Sequence, residues 1–591
     1  MRLPRQRMGL LGLSLLAVVV GAVTGVGAVV FRALIAVIHN AFFLGTFTFA
    51  FDANQFTPAS PWGPFIILVP VIGGLIVVFL VTTFAPEARG HGVPEVLDAI
   101  YYKEGKIRPV VAAIKSLASA FSIGSGAAVG REGPIIQIGA TLGSTFGQSM
   151  AMPPWQRITL VAAGAGAGIA ATFNTPIGGV MFAIELMMPE VSARTFLPVA
   201  LATGTATFVG RFFLGMSPAF DVPAAFSATN TPEPLVALLL FAVLGGLAGL
   251  GATAFVRSLS WAEDAFLVVK NPYLRHVVGM LMVGVLIYAL FELAGHYYVQ
   301  GVGYATIQAL LNDNLGASFG FLLFLFFAKL FATCVSLGSG SSGGIFSPSL
   351  FMGATLGGAF GALVTLVHPV PGVDAVTCAM VGMAAMVGGA TGAAMAAVTM
   401  IFEMTRDYEV IMPIIVAVAV SIGIRRLLSR ENIYTIKLVG RGHTIPKAMH
   451  ANMFLVRHAS EVMDADFVLL PAETPFAKFL RDTCDEGLKH IVVTRGDRVV
   501  GVLRVNTELR RGLEDAYTGV TLGELVRRRG FTIARPEDVV FDVVDRMWKH
   551  KAPMAIVAAA KSRPRPSQVV GVIDKEHIAD SVAESVRPYS S

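Results

Sequence analysis

Two stretches of this 591-residue chain lie 214 positions apart and read almost alike. Residues 124–143 are GSGAAVGREGPIIQIGATLG and residues 338–357 are GSGSSGGIFSPSLFMGATLG, with ten of the twenty positions identical and no gap. The match continues upstream through Lys115/Lys329, Ala118/Ala332 and Ser122/Ser336. The chemically telling change is Arg131-Glu132 in one copy against Ile345-Phe346 in the other. A repeated element with an acid in one copy only, inside an apolar sequence, is the pattern of a transport site built where two repeat halves meet.

The apolar setting is clear from the charge content. Only 14% of residues are charged, against about 25% in an average soluble chain, and the deficit lies before residue 440. Apolar stretches near the ~20 residues that span a bilayer recur: Met8 to Phe31, Phe65 to Phe84, Leu235 to Phe255, His276 to Leu293 and Phe319 to Val335. The first begins too late and runs too long for a signal peptide, and no small-residue cleavage site follows it. The expectation is a multi-pass membrane protein. Arg2, Arg5 and Arg7 precede the first span and Arg425, Arg426 and Arg430 follow the last. Both termini are therefore expected in the cytosol. The same bias, with a basic C-terminal region, accounts for a net charge of +6 without a nucleic-acid partner. Cys334, Cys378 and Cys484 are too few and too scattered for a disulfide framework or a metal site.

The expected organisation is a transmembrane domain over 1–440, with halves at roughly 8–230 and 231–440, followed by a cytosolic region over 441–591. The second region is rich in charge and alternates short strands with amphipathic helices. One half reads strand 467–470, a helix around Phe476 to Cys484, then strands 490–493 and 499–503. The other reads strand 531–533, a helix around Val539 to Trp548, then strands 555–557 and 569–573, with a loop at Arg563 to Pro566. This doubled β-α-β-β-α order resembles a tandem pair of cystathionine-β-synthase (CBS) domains, roughly 462–512 and 523–587. The fold class expected is thus an all-α membrane domain of inverted, broken and tilted helices with an α/β CBS pair attached. The membrane halves also answer each other at Phe182-Ala183-Ile184-Glu185-Leu186-Met187 and Met400-Ile401-Phe402-Glu403-Met404, at an offset of 218. Gly-rich segments such as Ala162 to Ala171 look shorter than a span, and broken helices of that kind need protein or water to satisfy their backbone.

The chemistry centres on Gly130-Arg131-Glu132-Gly133-Pro134. A Gly turn followed by Pro marks a helix start, and first-turn N–H groups together with the helix dipole make an anion site without a buried cation. Gly343-Gly344-Ile345-Phe346-Ser347-Pro348 repeats the device. Inverted halves would bring both starts together near mid-membrane. Backbone amides suit a permeant ion because binding must stay weak enough for release. Glu132 would compete with the anion for the same amides, which makes it a gate and a candidate proton carrier. The bland account is a first-turn acid that only favours its own helix dipole. Gly90-His91-Gly92-Val93-Pro94 is a third Gly/Pro turn opening a helix, weak as a signal by itself. Tyr434 alone reads as an interfacial anchor. An intramembrane enzyme using His91 and Glu132 finds no support in any Ser/His pairing, HExxH or acid pair.

Taken in order, GREGP at 130–134, GGIFSP at 343–348, the turn at 90–94 and Tyr434 resemble the CLC family of chloride channels and proton–chloride exchangers. The resemblance covers essentially the whole chain, since many members carry a C-terminal CBS pair. It implies a homodimer in the cell membrane with one pathway per subunit for chloride or other small anions, and no cofactor. It makes Glu132 the external gating glutamate. It also implies an outer site lined by amides of Gly130, Arg131 and Glu132, and a central site lined by amides of Ile345 and Phe346 with the Tyr434 hydroxyl.

Three departures qualify it. His91 stands where the family usually has a serine whose hydroxyl contacts the central anion; its ring either donates to the ion or turns aside and leaves the amides to hold it. Leu186 stands where exchangers commonly carry the second of two acids, the inner proton relay. Leucine cannot move a proton, which points to passive conduction; the alternative is proton-coupled exchange by another route to Glu132. Glu185, matched by Glu403, is expected to be structural. Finally, nucleotide-binding CBS copies often end in G-x-x-[Ser/Thr]-x-x-Asp. Here Gly501 leads to Arg504 and Thr507, and Gly571 to Asp574 and His577, which favours a structural, dimer-bracing module.

Overall fold

The structure is a computed structural model. It describes residues 8–222, 234–315, 318–443 and 445, and in the C-terminal part 456–476, 478, 490–504, 520–526, 530–560, 564–575 and 578. Arg2, Arg5, Arg7, Cys484, Thr507, Arg563, His577 and most of the helix expected around 476–484 lie outside the described residues. Two compact units are present, Met1–Ile445 and Pro446–Ser591.

The first unit is helical. Its first half comprises α1 (Leu10–His39), α2 (Val69–Phe84), α3 (Val93–Tyr102), α4 (Val110–Gly124), α5 (Glu132–Ser149), α6 (Pro154–Phe173), α7 (Pro176–Phe182) and α8 (Ala193–Leu214). The second comprises α9 (Pro234–Leu267), α10 (Pro272–Ala294), α11 (Tyr304–Leu311), α12 (Phe319–Ser339), α13 (Phe346–Val367), α14 (Ala375–Thr391), α15 (Ala394–Thr405) and α16 (Ile411–Leu428), with the short α17 (Thr435–Gly440) after it. The halves pack alike. α1 lies on α8 and α6 as α9 lies on α16 and α14; α2 on α4 as α10 on α12; α5 on α6 as α13 on α14.

Among the described residues, eight helices are long and apolar enough to cross a membrane. At ~1.5 Å per residue the 34-residue α9 is about 51 Å long, well beyond a bilayer core of about 30 Å, so it must tilt, bend or project past the core. Outward-facing side chains such as Leu11, Phe212 and Leu293 are large and apolar, as lipid contact requires. The short helices α3 and α11 are almost wholly buried inside this frame, whereas α7 and α15 begin at its surface, with Ile177 and Met395 exposed.

One expectation is corrected here. Ala162 to Ala171 is not a break but the middle of the continuous α6. Its glycines serve close approach: a Cβ at Gly164 would collide with the Gly139 carbonyl of α5, and one at Gly139 with that of Gly164. Small residues thus let two backbones touch where larger ones would hold them apart.

Among its described residues, the second unit contains two three-stranded sheets of the same design. β1 (Phe467–Pro471) pairs parallel with β2 (His490–Arg495), and β2 antiparallel with β3 (Arg498–Arg504). β4 (Phe531–Ala534), β5 (Met554–Ala558) and β6 (Val569–Asp574) repeat the arrangement. The amphipathic helix Val540–Lys549 connects β4 to β5, burying Val540, Val543 and Met547.

Candidate functional site

The two Gly-led turns meet. Gly130 donates its N–H to the Gly344 carbonyl at 2.7 Å, and Gly344 donates back to Gly130 at 2.6 Å. Each residue therefore pairs with its own repeat counterpart, which defines a local two-fold axis. Two further bonds obey it: Ser342 N–H to Ser122 Oγ at 3.1 Å, and Ala128 N–H to Ser336 Oγ at 3.2 Å. Only glycine permits this approach, because a Cβ on Gly344 would lie 2.6 Å from the Gly133 nitrogen.

The meeting point sets α5 and α13 start to start, beginning at Glu132 and Phe346. Amides of Ile345 and Phe346 head the first turn of α13, and those of Arg131 and Glu132 head that of α5, positions without intrahelical acceptors. One expected member drops out. The Gly130 N–H is consumed by the Gly344 carbonyl, so it cannot also face an outer anion.

Glu132 is fully buried, and its carboxylate does not merely sit on its own helix. It accepts from the Ser347 N–H of α13 at 3.2 Å, from the Ser347 hydroxyl and from the Tyr304 hydroxyl at the start of α11. Arg131 Nε is 3.8 Å from Glu132 Oε1, and the Arg131 guanidinium lies 5.1 Å over the Tyr304 ring. A small cavity of about 50 Å³ adjoins this cluster, with Arg131, Tyr304, His39, Tyr297 and Tyr298 in its walls.

His91 and Tyr434 come together near the other helix starts. Both are buried, with ring centroids 5.9 Å apart. Tyr434 is thus no interfacial anchor; Asn432 Oδ1 accepts from the Tyr434 and Thr435 amides at 2.9 and 2.8 Å and fixes it inside. The His91 ring faces Tyr434, and its Nδ1 is buried without a hydrogen-bond partner. A buried polar atom left unpaired carries a desolvation cost, which an anion accepting from a protonated Nδ1 would relieve.

Glu185 and Glu403 are caps exchanged between halves. Glu185 accepts from the amides of Ala394, Met395 and Ala396 at 2.7, 3.3 and 2.9 Å, the first turn of α15. Glu403 accepts from Ile177 and Gly178 at 3.1 and 2.7 Å, the first turn of α7. Neither helix has a local side-chain cap of its own. The half-buried Leu186, one residue on, lies in a short π-helical segment, Ala183–Met187.

Tyr304 and the roles of the two repeat lysines are missed by sequence reasoning. Lys115 is buried and donates to the Ala88 and Gly90 carbonyls at 2.9 and 2.7 Å; Lys329 is buried and donates to Val299 and Gly301 at 2.8 and 2.7 Å. Each pins a Gly-x-Gly turn, Gly90-His91-Gly92 or Gly301-Val302-Gly303. All four of those glycines have positive φ, between 55° and 82°. The available signal was that second Gly-x-Gly, which pairs with the first just as Lys329 pairs with Lys115.

Residues 73–426 match the model of the voltage gated chloride channel family. The chain is 31% identical over 430 residues to an H(+)/Cl(-) exchange transporter ClcA of Yersinia pseudotuberculosis, covering 71% of this chain and 86% of that protein. It is 33% identical over 370 residues to an H(+)/Cl(-) exchange transporter ClcA of Vibrio cholerae, covering 60% and 75%. A crystal structure described as a slow cyanobacterial Cl-/H+ antiporter superposes with a TM-score of 0.64 at 25% identity, covering 74% of this chain and 99% of that one. A eukaryotic CLC transporter superposes with a TM-score of 0.59 at 19% identity, covering 96% and 98%, a likeness of fold.

Proposed function

This chain belongs to the voltage gated chloride channel (CLC) family, whose members are transporters or channels rather than enzymes, and we propose that it moves chloride across the membrane in exchange for protons. One observation carries the reading. The Glu132 carboxylate of one repeat fills the helix start of the other, the place where an anion would be held. In this account chloride waits at the amides of Ile345 and Phe346 with the Tyr434 hydroxyl and His91 around it. Glu132 blocks the way outward until a proton neutralises it or an anion displaces it, and the amides of Arg131 and Glu132 then receive the ion. No cofactor takes part.

The relatives named as exchangers favour proton coupling over the passive conduction that Leu186 suggested. Passive conduction remains the second reading, on that residue alone: Leu186 offers no proton site, and the acid beside it, Glu185, is committed to α15. Under exchange, protons must reach Glu132 from the cytosol by another path. The reversal potential of purified protein in a bilayer with crossed chloride and pH gradients separates the two. Exchange predicts a value displaced from the chloride equilibrium potential; a value at that potential overturns it.

The remaining features of the reading are a homodimer with one pathway per subunit in the cell membrane, both termini cytosolic, and a C-terminal CBS pair over roughly 462–512 and 523–587. The doubled sheet design supports the pair. A bracing role suits it better than nucleotide binding, since Asp574 is buried against His490 at 3.0 Å and Arg504 at 3.4 Å.

A further inference from the structure

We propose that Tyr304, together with Ser347, is the latch that sets how readily Glu132 leaves the pathway; the proposal rests on Glu132 being the gate. Tyr304 is a positioning residue. Its hydroxyl and that of Ser347 each reach one oxygen of the carboxylate and lie 2.8 Å from each other, which closes a ring of oxygens around the acid. The Ser347 N–H adds a third donor at 3.2 Å.

Proton counting shows what the ring does. With Glu132 ionised, Tyr304 donates to Oε1 while Ser347 donates to Oε2 through both its hydroxyl and its amide. All three bonds are charge-assisted, and such bonds are roughly twice as strong as neutral ones. Both hydroxyl hydrogens then point at the carboxylate, and none is left for the 2.8 Å contact between Tyr304 and Ser347. With Glu132 protonated, its own hydrogen completes the ring, but every bond is then neutral and about half as strong. The latch is therefore tight in the ionised state and weak in the neutral one.

Both hydroxyls are peculiar to their positions in this chain. Ser347 occupies the repeat place of Gly133, and Tyr304 follows the Gly301-Val302-Gly303 turn where the first repeat has Val93 after Gly92. The turn that aims Tyr304 is itself pinned by Lys329. The charged and titratable groups facing Glu132 are Arg131 from its own helix start and Tyr304 from α11. Lys329 from α12 and Tyr434 ahead of α17 act at longer electrostatic range.

The test is chloride efflux from proteoliposomes across a pH series, for the wild type, E132Q, Y304F, S347A and the Y304F/E132Q double variant. Removing one donor should speed efflux at neutral pH by roughly tenfold and move the half-maximal pH upward by about one unit. S347A should shift both in the same direction, so the proposal stays testable if Y304F does not fold. In the E132Q background, Y304F should change nothing further. An unshifted pH profile in Y304F or S347A, beside an E132Q protein that has lost its pH dependence, overturns the latch and leaves the gate intact. An equal effect of Y304F with and without Glu132 also overturns it. If E132Q keeps the wild-type profile, the gate reading itself fails.

Discussion

Three glutamates of this protein reach across to a helix start in the opposite repeat, yet they do so in two ways. Glu185 and Glu403 form a reciprocal pair, each half giving one carboxylate and receiving one, and each acid is bound by backbone amides of a short helix. Glu132 gives to α13 and receives nothing, because its counterpart Phe346 has no acceptor. Symmetry makes the first arrangement a fixed brace. Its absence in the second leaves the start of α13 capped by an acid from the opposite half, while the start of α5 receives none in return. The proposed gate thus sits where the repeat is broken, on a frame braced by the reciprocal pair.

Restoring the missing symmetry should have the largest effect. Phe346→Glu would put a second carboxylate beside the first, and two like charges in one buried site cannot both be accommodated. Chloride flux at neutral pH should fall by at least about tenfold in a liposome efflux assay.

A second, smaller effect separates the two turns that the lysines pin. Lys329→Met should loosen Tyr304 and so alter the pH profile of chloride flux. Lys115→Met should leave that profile in place and instead alter anion preference through His91. Each should lower stability in detergent by about 3 kcal/mol, since two carbonyls lose a charged donor. Matching pH profiles for the pair would erase the assigned division of labour.

His91→Ser, a milder change, should shift the chloride-to-nitrate permeability ratio by roughly threefold, about 0.7 kcal/mol. An unchanged ratio would mean that the ring takes no part in selectivity. Least of all, Glu185→Gln and Glu403→Gln should each cost about 1 kcal/mol of thermal stability, by weakening a charge–dipole contact, and should leave proton coupling untouched. Unequal losses between the two would contradict their reciprocity.

Much of the site was legible because a direct repeat and its glycines advertise themselves. The start-to-start meeting of residues 130 and 344, the exceptional status of Glu132 and the pairing of Glu185 with Glu403 all follow from aligning two halves. What escaped has physical reasons. The Gly130 amide was assigned to an anion because sequence shows that a donor exists but not which acceptor takes it. Ala162 to Ala171 looked like a break because glycine weakens a helix in water, whereas between packed membrane helices the same glycines permit contact with α5. Tyr304 stayed hidden because its turn answers Gly90-His91-Gly92 at an offset of 211 rather than 214, so the alignment that exposed Glu132 does not set Tyr304 against Val93. Buried lysines that bind only carbonyls leave no opposite charge nearby in the sequence to betray them.

The account turns on Glu132 as a movable cap that carries the proton. Its most direct test is to load proteoliposomes with chloride, impose an outward gradient and record external pH together with chloride release. For the wild type the prediction is proton uptake against its gradient, driven by chloride leaving; for Glu132→Gln it is continued chloride release with no proton movement and no dependence on pH. Proton uptake that survives in Glu132→Gln would contradict the account.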